Sequence, residues 1–234
     1  MNAIKIFLFC FALNCVLNII FIILEKETLR RISKVLIIPL LLAVYITGMG
    51  NKFILPIFAL VLGWIGDVLL IRIDKKICLN LGLASFLLGH LCYIISFIQI
   101  LGFFGFGGTV GINSVGNINI PAIVIFMPPA VVLGVVVFRL IKPLKELYIP
   151  VIIYMAFLET LTLFGFQVSL FNPGFAGLLI LSGCLCFMIS DTILAYYTFR
   201  KPKRSGSVFL MGYYILAQAE IILGIMMLKA GPLF

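Results

Sequence analysis

The chain has 234 residues, of which 64% are hydrophobic and only 11% charged, and a formal net charge of +9. The interior of a soluble domain of this length cannot hide that much apolar surface, so the class is an all-α polytopic membrane protein. The positive charge does not point to nucleic acid: the basic residues stand in short clusters between apolar runs, and there is no long polar segment to form a nucleic-acid module.

The N-terminal run "MNAIKIFLFCFALNCVLNIIFIIL" has the look of a signal peptide. It lacks a small-residue cleavage site and is long enough to span, which makes it a retained first helix. A span needs about 20 apolar residues. Eight are predicted, over 4–24, 34–50, 53–71, 78–100, 120–141, 147–170, 174–199 and 207–229. The second is short, and its break at Asn51-Lys52 is tight. The connector "GFFGFGGTVGINSVGNINI", 102–120, is rich in Gly and Asn and uncharged.

Sorting Lys and Arg by loop sets the orientation. Fourteen fall in one set of alternating loops: Lys26, Arg30, Arg31, Lys34, Arg72, Lys75, Lys76, Arg139, Lys142, Lys145, Arg200, Lys201, Lys203 and Arg204. The other side holds only Lys5, Lys52 and Lys229. Positive residues favour the cytoplasmic side, so both termini are expected outside. The expected location is a bacterial inner (plasma) membrane, with the site opening toward the cytoplasmic half. The six cysteines all lie in or beside apolar runs, without metal-ligand spacing, and read as small buried hydrophobes.

Two segments echo each other. "KVLIIPLLLAVY" (34–45) and "KELYIPVIIYMA" (145–156) place Lys34 with Lys145 and Pro39 with Pro150 in one register. "GDVLL" followed by "FLLGH" likewise matches "SDTIL" followed by "FLMGY". The expectation is one transmembrane domain over 1–234, made of two parallel four-helix repeats, 1–100 and 120–234, joined by the outer Gly/Asn-rich loop. Such an axis would put Asp67 and Asp191 at similar depth.

Ionisable groups inside spans are costly and usually functional. Here they are Asp67, His90, Glu159, Asp191 and Glu220, with Asn80, Tyr93, Tyr154, Tyr213, Tyr214 and Gln218 as uncharged polar neighbours. Asp67 is five residues before Arg72, about 7–8 Å along a helix. A carboxylate so near a helix end also suits a plain ion pair with a basic loop residue. His90 with Tyr93, and Tyr214 with Gln218, share helix faces. Asn14 and Asn18 read as packing contacts, and Glu220 as interhelical glue.

Counting removes several chemistries. One histidine cannot form a three-histidine zinc site, and no serine stands in a nucleophile elbow. There is no P-loop and no dinucleotide fingerprint. No metal and no cofactor is expected. A pair of carboxylates in low dielectric remains, and two such groups resist ionising together, which suits one as general acid and the other as general base. Hydrolysis through an oxocarbenium-like intermediate fits that pair.

"GWIGDVLL", "FLLGHLCY", "SDTILA" and "YYILAQ", in this order and spacing, resemble the motifs of the YhhN family of lysoplasmalogenase-like membrane proteins. The resemblance implies an enzyme that cleaves the vinyl ether bond of a lysophospholipid of the alkenyl type, releasing a fatty aldehyde and a glycerophospho-ethanolamine or -choline. It implies catalytic roles for Asp67 and Asp191, and puts the family's Gly-His motif on Gly89-His90 and its Tyr/Gln motif on Tyr213, Tyr214 and Gln218. His90, Tyr93, Tyr213, Tyr214, Gln218, Asn80 and Glu159 are then candidates to position substrate or water. Glu159 and Glu220 have no counterpart in the family pattern. Membrane lipids are the other expected partners, and nucleic acid is not one. The competing readings are a small proton-coupled transporter, which parallel repeats and intramembrane carboxylates also suit, and a lipid-binding protein without turnover.

Overall fold

A computed structural model describes residues 2–49, 53–72, 75–102, 148–198 and 204–230, with the single positions 119, 121, 124 and 135. Among these residues the fold is all helical. Its seven helices are α1 (Asn2–Ile23), α2 (Glu27–Met49), α3 (Leu55–Leu70), α4 (Lys76–Ile100), α5 (Tyr148–Phe171), α6 (Phe175–Thr198) and α7 (Arg204–Ala230). Six are long and apolar enough to cross a membrane, and α3, with 16 residues, is a shorter apolar helix. The chain is an integral membrane protein. The fifth predicted span, 120–141, lies outside the described residues except at positions 121, 124 and 135, and the connector 102–120 does so except at its first position and at 119.

The other seven predicted spans fall on helices. The largest difference is at α2, which starts at Glu27 and not at position 34. Counting apolar residues finds the buried part of a helix, not its polar first turns. Here those turns are held by Glu27, an acid at the helix N-terminus, whose carboxylate takes hydrogen bonds from Arg30 at 2.6 and 2.8 Å and from Arg31 at 2.9 Å. Lys34 is therefore not a loop residue. It sits about two turns inside α2.

Each described helix packs on its neighbour in sequence, α4 on α5 included, and α7 returns to α1 and α2, so the helices form a closed circuit. On α3 the buried positions are Pro56, Ala59, Leu60, Gly63, Gly66, Asp67 and Leu70, a stripe at helical spacing. Asp67 thus faces inward along with the two glycines of "GWIG". Trp64, Ile65 and Val68 face out. Close approach of α4 needs Gly89, where a Cβ would stand 3.2 Å from the carbonyl of Ala59. Gly183 plays the same part between α6 and α7, facing the backbone of Ile221 and Ala217 at 2.9 and 3.0 Å.

Pro39 lies inside α2. Proline has no N–H, so the carbonyl four residues earlier, that of Val35, loses its usual helical donor. Trp64 Nε1 fills this vacancy from α3, donating to the Val35 carbonyl at 3.0 Å. On the other flank of α2, Asn14 donates to the Ser33 carbonyl at 2.9 Å and Asn18 to Ser33 Oγ at 2.8 Å. The α1 asparagines are packing contacts, as expected. Together these bonds grip α2 on both sides of Lys34.

Replacing Trp64 by Phe keeps the ring but leaves the Val35 carbonyl without a donor. Thermal unfolding in detergent should show a loss of about 1–2 kcal/mol. An unchanged midpoint would mean that the indole N–H does not fasten α2 to α3.

Candidate active site

Five helices and one lysine converge on a single buried cluster. From α3 comes Asp67, only 2% exposed; from α6 comes Asp191, 6% exposed; from α4 comes His90, 1% exposed. On α4, His90 and Tyr93 are three residues apart and share a face; on α7, Tyr214 and Gln218 do so at a spacing of four, and on α6, Phe187 and Asp191 likewise. All six are buried.

Each carboxylate holds a tyrosine. Tyr214 donates its hydroxyl to Asp67 Oδ2 at 2.5 Å. Tyr154, on α5, donates to Asp191 Oδ2 at 2.5 Å. The remaining surroundings differ. Asp67 Oδ1 lies 3.2 Å from Lys34 Nζ, so it is ion-paired with a lysine that is itself mostly buried. Asp191 faces the His90 ring, whose Nε2 is 3.8 Å from Oδ2, too long for a hydrogen bond. Neither ring nitrogen of His90 has a hydrogen-bond partner among the described residues.

Aromatic rings join the two halves. His90 meets Phe187 edge-on at 4.8 Å and Tyr154 at 5.7 Å, and Phe187 in turn meets Tyr214 at 6.0 Å. The carboxylates are close enough for the charge of one to act on the other. Beneath them, Tyr93 donates to Gln218 Oε1 at 2.7 Å, and the Gln218 amide bonds the Tyr214 oxygen. Gly63 leaves room for that amide, since a Cβ there would lie 3.3 Å from Gln218 Nε2.

Of the residues singled out from the sequence, Asp67, Asp191, His90, Tyr93, Tyr214 and Gln218 share this cluster. Tyr213 does not: it turns outward and lines a groove of about 370 Å³ between α6 and α7, with Thr192, Tyr196, Tyr197 and Phe209. Asn80 is exposed on α4, ten residues and therefore about 15 Å along the axis from His90. Glu159 is half-buried on α5, about 140° round the helix from Tyr154. Glu220 lies near Cys186 at the α6–α7 contact, apart from the cluster. Sequence reasoning missed Lys34 and Phe187, and noted Tyr154 only as a polar residue.

The YhhN family model matches residues 29–225, which takes in six of the seven described helices, α2 to α7, apart from a few end residues, and leaves out α1. No curated protein and no solved structure matches the chain.

The bonds predict opposite effects of two substitutions. Tyr214→Phe removes a hydrogen bond from a buried carboxylate and should lower stability by about 1–3 kcal/mol. His90→Phe keeps the ring contacts and removes two unpartnered polar atoms, so it should leave the unfolding midpoint equal or higher. A midpoint that falls with His90→Phe as far as with Tyr214→Phe would show that the imidazole is bonded within the fold.

Proposed function

The chain belongs to the YhhN family, and from that premise we propose that it hydrolyses the vinyl ether bond of alkenyl lysophospholipids by carboxylate acid–base catalysis. The observation that supports this most is the buried pair: Asp67 and Asp191, one beside a lysine and the other beside an unpartnered imidazole, each with a tyrosine on one oxygen. Two carboxyl groups in different surroundings suit two different protonation states, which acid–base chemistry requires.

The reaction proceeds in three balanced steps. The protonated carboxyl gives its proton to the outer vinyl carbon, and the carbon next to the ether oxygen becomes an oxocarbenium ion. The ionised carboxylate takes a proton from water as the water oxygen bonds to that carbon, giving a hemiacetal. The hemiacetal hydroxyl then returns a proton to the first carboxylate while the second protonates the departing glycerol oxygen. The C–O bond breaks, aldehyde and alcohol leave, and both aspartates are restored. The His90 imidazole, neither of whose nitrogens has a partner among the described residues, suits a water or a substrate hydroxyl beside Asp191.

A carrier would place its site where helices are interrupted. The helices that bear Asp67 and Asp191 run unbroken through both residues, which favours the enzyme.

The test uses purified protein in detergent with an alkenyl lysolipid and, separately, its acyl counterpart, measuring aldehyde and fatty acid. Aldehyde from the first alone is expected. Asp67→Asn and Asp191→Asn, each shown to be folded, should each lower aldehyde release by roughly 10²-fold or more. Near-normal release from either variant would sink the scheme.

A further inference from the structure

We propose that Lys34 is a positioning residue: it holds Asp67 in the charged form and so leaves Asp191 as the carboxyl that carries the proton. The catalytic consequence rests on the acid–base reading above. The protonation pattern does not, and it is tested separately.

The argument is one of donors and acceptors. An ionised carboxylate only accepts hydrogen bonds, whereas a protonated one must also place its own hydrogen. Asp67 meets a donor at each oxygen, the Lys34 ammonium at Oδ1 at 3.2 Å and the Tyr214 hydroxyl at Oδ2 at 2.5 Å. That is a carboxylate's environment, and the pair is buried, so removing the cation would strand a charge where water cannot reach it. Asp191 has no such partner. Among the described residues the groups that face it are Tyr154 from α5, His90 from α4 and Asp67 from α3; no Lys or Arg is within ion-pair distance. The two acids therefore do not share a single charge evenly: among the described residues the lysine is on the Asp67 side only.

The position of Lys34 is built, not incidental. Ser33 takes the Asn18 side chain, and the Val35 carbonyl, freed by Pro39, takes Trp64. Those bonds on either side of residue 34 fix where its side chain leaves α2. The only lysine in the matching register of the second half is Lys145, which lies outside the described residues and serves as the control.

Infrared spectroscopy of the full chain in detergent reads protonated carboxyl groups through their C=O band, with or without turnover. The wild type should show a band that Asp191→Asn removes. Lys34→Gln should add a second band, which the double variant Lys34→Gln with Asp67→Asn removes again. Lys34→Arg and Lys145→Gln should add none. In parallel, Lys34→Gln should lower kcat for aldehyde release by roughly 10²-fold, with little change in KM, and Lys34→Arg should recover most of it. The double variant removes both charges and checks that the fold tolerates the change. The proposal is overturned if Asp191→Asn leaves every wild-type band in place, if Lys34→Gln adds none, or if Lys145→Gln adds one. Should the wild type release no aldehyde, the proposed function fails while the infrared result still decides the role of Lys34.

Discussion

The contact on which this arrangement turns is the ion pair between Lys34 and Asp67, two opposite charges 3.2 Å apart, the aspartate buried and the lysine mostly so. An isolated charge in such a place costs several kcal/mol, and a pair is tolerated only when its geometry is held. Much of the first half of the chain serves that geometry. α1 sends two asparagines to Ser33, Pro39 frees a carbonyl for Trp64, and the inward stripe of α3 puts Gly63 one turn before the acid and Gly66 directly before it. The same glycines let α4 and the Gln218 amide come close. Position 67 is therefore set from α2, α4 and α7 at once.

The second carboxylate is set differently. Among the described residues Asp191 has a tyrosine and an unpartnered imidazole in place of a lysine, and these come from α5 and α4. The circuit of helices makes this possible, because α4 lies between α3 and α5 and its His90 reaches the α6 side. Phe187 packs its ring on His90 and on Tyr214, and apolar surroundings of this kind keep the local dielectric low and strengthen the action of one charge on another. Unlike surroundings in one dry space are what separate the roles of two chemically identical side chains.

Much of this was legible in the sequence, for physical reasons that differ by residue. The spans follow from apolar length, and seven of the eight fall on helices. Asp67, Asp191 and His90 stood out because an ionisable group in an apolar run has few structural excuses. The spacing of four puts Tyr214 and Gln218 on one face, and the resemblance to the family's Tyr/Gln motif is what implies a site there. Lys34 was not legible, because sorting bases by loop treats every lysine beside a span as an orientation signal. An ion pair of Asp67 with a basic loop residue is what its place near a helix end suits; the base it meets, Lys34, stands inside α2 and 33 residues earlier in the chain, and only the α2–α3 contact brings them together. Pro39 was seen as half of a repeat; its effect on the Val35 carbonyl appears only when Trp64 is found there. Asn80 and Glu159 were drawn in by polarity alone, and the axial distance and helix angle that set them apart need the fold.

Consecutive residues show how narrow the division between site and surface is. Tyr214 holds Asp67, while Tyr213, about 100° round the same turn, lines the groove between α6 and α7. Asp191 faces His90, while Thr192 lines that same groove. The groove and the site therefore lie on adjacent faces of the same two helix turns, about 100° apart, and neither turn can rotate without moving both. Gly206 adds to this coupling, because only the missing Cβ lets the Tyr197 ring lie against the start of α7. A bundle that buries its acids so deeply still leaves them only one helix wall from a surface of aromatic rings, and that wall is built from the residues that hold the acids in place.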